Sequence, residues 1–276
     1  MDRNLSVFSE LVRAGLWEND VQLAPYGEVD YAEVLQLAEE QSVVGLIAAG
    51  IEHIVDKRPQ KKDVLQFIGR TVQLEQRNQA MSWFTAEVVE RMYKEGLHPL
   101  LVKGQGLAQC YERPSWRSVG DVDFFFAKEE FRKAADFFTD LSVNVVQDAR
   151  YTKSFGVVID PWFIEIHGTL RSGLSTRLDK VIDAVQANTF TNGKKRVWRV
   201  GKTDVQLPCV DNDVFLVFTH FVRHCYKGGV SLRQVCDWCR LLWTYRSELD
   251  VALQERWLRQ AGLMDEWQAF AALAVE

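Results

Sequence analysis

Apolar residues fall at helical spacing through most of the first hundred positions. The segment YAEVLQLAEEQSVVGLIAAGIEHI (31–54) repeats them every three or four residues. DVLQFIGRTVQLEQRNQAMSWFTAEVVERMYK (63–94) continues the pattern with Gly69 as its one breaker. Asp63 suits a helix cap and Gly96 a helix stop. Residues 1–97 therefore read as a helical region.

The texture then changes. HPLLVKG, VDFFFA, SVNVVQ, KSFGVVI and WFIEIHG are short, apolar and strand-like, separated by polar or Asp-Pro turns. Between them GLAQCYE suits one or two helical turns, and KEEFRKAADFFTDL an amphipathic helix. VWRV and VQLP predict a hairpin. Residues 98–208 thus read as a small α/β (α+β) core with a mixed sheet. Helices return over 209–276, in DNDVFLVFTHFVRHCY, SLRQVCDWCRLLWTY and VALQERWLRQAG. The last stretch, MDEWQAFAALAVE, is still helix-like without a stop signal, which predicts that the natural chain continues or has been trimmed.

Composition narrows the partners. The 276 residues carry a net charge of -5, with 47% hydrophobic and 26% charged residues, as in ordinary soluble proteins. A broad nucleic-acid-binding surface is not expected. No apolar run is long enough to span a membrane, and the N-terminus lacks a signal-peptide pattern, so a cytoplasmic location is expected. Five cysteines in a chain this long suit free thiols.

Two stretches carry candidate chemistry. Asp121-Val122-Asp123 places two carboxylates on one face of a strand, roughly 6.5–7 Å apart at the backbone. Such a pair can converge on Mg²⁺ or Mn²⁺, or it can mark a strand end facing water. The same spacing at Asp211 and Asp213 precedes a long helical run, where helix capping and first-turn charge explain it. Upstream, Lys103-Gly104-Gln105-Gly106 joins a strand to a short helix. It can cradle phosphate, or it can be a plain turn. A third acid comes from the WFIEIHG strand, where Glu165 and His167 share one face. Glu165 could complete the metal site or serve as a general base.

In that order, these motifs resemble the DNA polymerase β-like nucleotidyltransferase superfamily. The nearest likeness is to a group of uncharacterised bacterial nucleotidyltransferases with a Lys-Gly motif, a Gly-Asp-x-Asp motif and a later Glu-x-His. Lys103, Gly104, Arg117, Gly120, Asp121, Asp123, Glu165 and His167 carry the resemblance, which is strong over about 98–170 and looser in the flanks, at Arg233 and Asp237. It implies a mixed sheet bearing three carboxylates and two Mg²⁺ ions. It implies transfer of a nucleoside monophosphate from a nucleoside triphosphate, ATP by expectation, to a hydroxyl on a small molecule, a protein or an RNA end. By that likeness Asp121, Asp123 and Glu165 hold metal. Lys103, Gly104, Gln105, Arg117, Gly120 and His167 belong to the nucleotide side. The turn departs from the usual Gly-Ser or Gly-Gly, since Gln105 supplies no hydroxyl. That departure keeps open an inactive nucleotide-binding or protein-interaction module of the same fold, or a toxin- or antitoxin-like component.

Other features compete for a role. His220 and His224 with Cys225, Cys236 and Cys239 have ligand types that suit zinc, but the cysteines sit in a helical pattern, where small buried thiols explain them. His224, Arg223 and Lys227 could instead face the nucleotide or acceptor. Trp116, Trp162 and Trp198 could stack on a base or fill a core. Lys153 could reach a phosphate or point to solvent.

Overall fold

A computed structural model describes residues 3–149, 154–191 and 194–275. Lys153 lies outside the described residues. The chain folds into two compact units, each assembled from three segments. The first comprises Met1–Ala80, Ala108–Val119 and Ser231–Arg240. The second comprises Met81–Leu107, Gly120–Val230 and Leu241–Glu276.

The first unit is helical. It holds α1 (Arg3–Trp17), α2 (Tyr31–Glu40), α3 (Val44–Glu52) and the start of α4 (Lys61–Lys94). Asp30 caps α2 by accepting from the amides of Ala32 and Glu33. The 31–54 pattern breaks between α2 and α3 at Ser42, which adopts a positive φ of 57°. Asp63 lies in the first turn of α4 rather than at its cap. Helices α1 and α3 cross closely enough that glycine is required. A Cβ on Gly15 would meet the Leu46 carbonyl oxygen at 1.9 Å, and one on Gly50 would meet that of Leu11 at 2.2 Å.

The second unit carries the sheet. Its strands are β1 (Leu100–Val102), β2 (Val122–Phe125), β3 (Asn144–Ala149), β4 (Ser154–Ile159) and β5 (Trp162–His167), in spatial order β1-β2-β5-β4-β3. Only β2 and β5 run parallel; the other pairs are antiparallel, so the sheet is mixed as expected. Strand β2 is buried at every position, as its apolar Val122, Phe124 and Phe125 require. Around the sheet lie α5 (Gly104–Ala108), α6 (Lys128–Leu141), α7 (Thr176–Thr191), the hairpin β6 (Arg196–Val200) and β7 (Thr203–Leu207), and α8 (Val210–Lys227). Helix α9 (Leu232–Thr244) begins in the first unit, and α10 (Val251–Ala261) and α11 (Met264–Val275) belong to the second.

Helix α7 falls where sequence periodicity predicts no element. Its buried residues Leu178, Ile182, Val185 and Thr189 do follow helical spacing, but the stripe is thin and ends on a threonine. No helix among the described residues is long and apolar enough to cross a membrane.

Candidate functional site

Strand pairing assembles the site. In the parallel β2–β5 pair Asp123 lies opposite Glu165 and Phe125 opposite His167. Side chains alternate across a sheet, and neighbouring strands lie about 4.8 Å apart. Asp123, Glu165 and His167 therefore project from one face as near neighbours. In the antiparallel β1–β2 pair Val102 lies opposite Asp123, so the next residue, Lys103, leaves the strand beside the carboxylate.

The side chains close on one another. Lys103 Nζ lies 2.7 Å from Asp123 Oδ1, and His167 Nε2 lies 2.8 Å from the same oxygen. Because that oxygen is an acceptor, His167 presents Nε2–H to it. His167 Nε2 is also 3.6 Å from Glu165 Oε2. Asp123 is 2% exposed, whereas Lys103 and Glu165 keep 20% and 25% of their side chains in water. Burial opposes a charge on Asp123, but Lys103 and His167 outweigh it and hold the carboxyl well below the usual carboxylate range. Burial likewise opposes the Lys103 ammonium, but Asp123, Asp121 and Glu165 overcome this and raise its pKa.

The turn after β1 is strained where it meets the site. Lys103 adopts a left-handed φ of 58°, followed by Gly104 at 38°. For a residue with a Cβ this conformation costs of order 1 kcal/mol, and such costs cluster at functional positions. Helix α5 begins on Gly104 and has five residues, so its dipole is slight. The positive charge at the turn is that of Lys103.

Asp123, Glu165 and His167 form the only cluster of three or more potential ligand residues among those described; their donor atoms all lie within 4.8 Å of one another. Two carboxylates and an imidazole suit a divalent metal ion. A cation already faces Asp123 in the form of the Lys103 ammonium, so positive charge is accommodated there. The cluster can therefore bind a metal.

The remaining predicted residues are placed as follows. Asp121 stands one residue before β2, half-buried, and is not in the ligand cluster. Gln105 is 3% exposed and Gly104 is buried. Gly120 is exposed, with nothing within 4 Å of a would-be Cβ. Arg117 belongs to the first unit. It is buried and bound through two hydrogen bonds to Asp237, with Nε–Oδ1 at 2.9 Å and Nη2–Oδ2 at 2.5 Å. Tyr111 donates its hydroxyl to the same carboxylate at 2.7 Å, and Arg233 lies 4.0 Å away. The resemblance includes Arg117, Arg233 and Asp237 separately; the structure joins them into one network.

None of the zinc candidates belongs to the ligand cluster found among the described residues. His220 and His224 contact each other on α8 at 3.1 Å, while Cys236 and Cys239 are buried on α9 in the first unit. Trp162 is buried, Trp198 is half-buried, and Trp116 carries the Arg113 guanidinium at 4.5 Å.

A cavity of about 200 Å³ opens over the cluster, with Lys103, Glu165, His167, Arg171, His220 and Arg223 in its wall. Burial keeps His220 neutral, well below the ordinary histidine range. Asp213 also lines the cavity. It lies in the first turn of α8 as expected, but it is buried and ion-paired with Arg196. Burial raises its pKa against the pull of that arginine. Sequence reasoning misses Arg171; its only signal is its position just beyond the Glu-x-His strand.

No protein of curated function matches the chain. Residues 27–276 match the family model described as "Uncharacterised nucleotidyltransferase", which takes in the whole β1–β2–β5 site and the helices on either side. With a match this long, and with its carboxylate pair set on adjacent strands, the chain belongs to that family of uncharacterised nucleotidyltransferases.

Proposed function

We propose that the protein is a divalent-metal-dependent nucleotidyltransferase that moves a nucleoside monophosphate from a nucleoside triphosphate to an acceptor hydroxyl. One observation carries this reading: Asp123, Glu165 and His167 converge on one sheet face beside Lys103, and Glu165, His167 and Lys103 line a cavity. Asp123 stays ionised at neutral pH and is oriented by His167 Nε2–H. Asp123 and Glu165 would hold the metal, joined by His167 once its Nε2 gives up the proton it donates, with Asp121 near enough to influence Lys103 electrostatically. When bound, a Mg²⁺ or Mn²⁺ ion supplies charge neutralisation at the reacting phosphate and acidifies an attacking oxygen.

In the transfer, the acceptor oxygen bonds to the α-phosphorus as the bond to the bridging oxygen breaks and pyrophosphate leaves. Glu165, which reaches water at the cavity wall, accepts the acceptor's proton on its carboxylate. Lys103 stays paired with Asp123 and adds positive charge beside the phosphates. A second cavity of about 1000 Å³ shares Thr169 and Arg171 with the first and offers the acceptor a route to the site.

Calorimetry with ATP, GTP, CTP and UTP in Mg²⁺ tests the reading. At least one triphosphate binds, and Asp123→Asn with Glu165→Gln abolishes or sharply weakens that binding. Binding by none of the four, or binding that ignores both substitutions, overturns it. The second reading, a nucleotide-binding module without turnover, draws on the Lys103–Asp123 ion pair and the buried Gln105. Steady pyrophosphate release that Asp123→Asn removes would eliminate it.

A further inference from the structure

Three cations line the cavity over the ligand cluster: Lys103, Arg171 and Arg223. Lys103 is committed to Asp123. Arg171 is bound through two hydrogen bonds to Asp183, with its Nε at 2.7 Å from Oδ1. Arg223 forms no ion pair or hydrogen bond among the described residues, yet it is half-buried. A partly desolvated guanidinium without an anion is costly, and its five donors match phosphate oxygens.

The position of Arg223 is fixed by helical geometry. Leu216, His220 and Arg223 follow the i, i+4, i+7 spacing of one helix face, and all three face the cavity. The acids of the wall do not compete for Arg223. Asp213 is paired with Arg196, and Glu165 makes its close contact with His167. Cavity size adds a second argument. At about 200 Å³ the space is smaller than the roughly 300–1,000 Å³ that encloses a whole drug-sized ligand. It suits the phosphate end of a nucleotide, with the nucleoside towards the mouth.

We propose that Arg223 grips the β- and γ-phosphates of the nucleotide and so selects triphosphates over monophosphates. This assignment rests on the nucleotidyltransferase reading above. Arg223 acts as a specificity and positioning residue that holds the departing pyrophosphate portion. Its charge also supplies, from α8, part of the phosphate recognition that Gln105 lacks at the turn.

The test is calorimetry of the full chain in Mg²⁺ with the four nucleoside triphosphates, the matching monophosphates and inorganic tripolyphosphate. Wild type, Arg223→Gln and Arg223→Lys are compared. Loss of a charge-assisted phosphate contact weakens triphosphate and tripolyphosphate binding about tenfold or more in Arg223→Gln. Monophosphate binding is unchanged, and Arg223→Lys recovers part of the loss. Triphosphate affinity unchanged in Arg223→Gln, or an equal loss for mono- and triphosphates, overturns the assignment. Wild-type binding of tripolyphosphate, lost in Arg223→Gln, but of no nucleotide supports Arg223 as a polyphosphate contact and overturns the nucleotide reading. Binding of neither overturns both.

Discussion

The Arg117–Asp237 pair joins residues 120 positions apart in the first unit, and both are nearly free of solvent. Replacing Arg117 by Met keeps the aliphatic stem and removes the guanidinium. Asp237 then remains buried, with the Tyr111 hydroxyl at 2.7 Å and the Arg233 guanidinium at 4.0 Å as its remaining partners. Breaking a buried pair on one side costs about 3–5 kcal/mol, because the remaining charge is stranded. Tyr111 and Arg233 soften that penalty, so the expected loss is about 3 kcal/mol, a large share of a typical total stability. Replacing Asp237 by Leu removes the carboxylate that Arg117 binds through two hydrogen bonds, with the Ser118 carbonyl at 3.1 Å among the partners it keeps. The double variant Arg117→Met with Asp237→Leu loses less than the sum of the two single changes, since neither member of the Arg117–Asp237 pair is left facing a missing partner. Urea unfolding followed by tryptophan fluorescence compares all four proteins, and Trp238, next to Asp237, is fully buried among the nine tryptophans that report it. A loss below about 1 kcal/mol for Arg117→Met, or single effects that add in the double variant to within about 0.5 kcal/mol, would refute the reasoning.

Two further tests address the first unit. Gly50→Ala forces a methyl into the Leu11 carbonyl, which only a separation of α1 and α3 relieves. It should cost about 1–3 kcal/mol or more in urea unfolding, and a neutral result would show that the crossing is looser than described. Asp56 accepts from the amides of Leu23 at 2.9 Å and Ala24 at 2.8 Å, and these bonds lower its pKa. A depressed carboxylate pKa stabilises the fold above the ordinary value of about 4, and that stability is lost as pH falls through the folded value. The urea midpoints of wild type and Asp56→Ala should therefore differ most above pH 5 and converge towards pH 3; a constant gap would count against this linkage.

Much of the site was legible along the chain, because strands display their chemistry by alternation. Glu165 and His167 stand out as polar residues on an otherwise apolar strand, and their shared face follows from period two alone. The register that sets Asp123 opposite Glu165 was not legible, since it links residues 42 positions apart through tertiary packing. Membership of the ligand cluster followed from that register. Asp123 lies within β2, whereas Asp121 falls just before it. The burial of Asp213 was hidden for a similar reason: its partner Arg196 comes from a hairpin that the helical pattern of α8 does not reveal. Helix α7 escaped because its apolar stripe is one residue wide.

The interleaving of the two units bears on how the chain is made. The backbone passes from one unit to the other five times, and the last segment of the first unit is Ser231–Arg240. Arg240 donates to the carbonyls of Leu16 at 3.0 Å and Cys110 at 2.8 Å, from within the protein interior. During synthesis the N-terminal helices must therefore wait for the 160 residues between Ala80 and Arg240 before their unit can close. At about 5–20 residues per second that delay is roughly 8–32 s. Completion of the helical unit thus waits for synthesis of Ser231–Arg240, and a ribosome that stalls before Ser231 leaves the first unit without its closing segment.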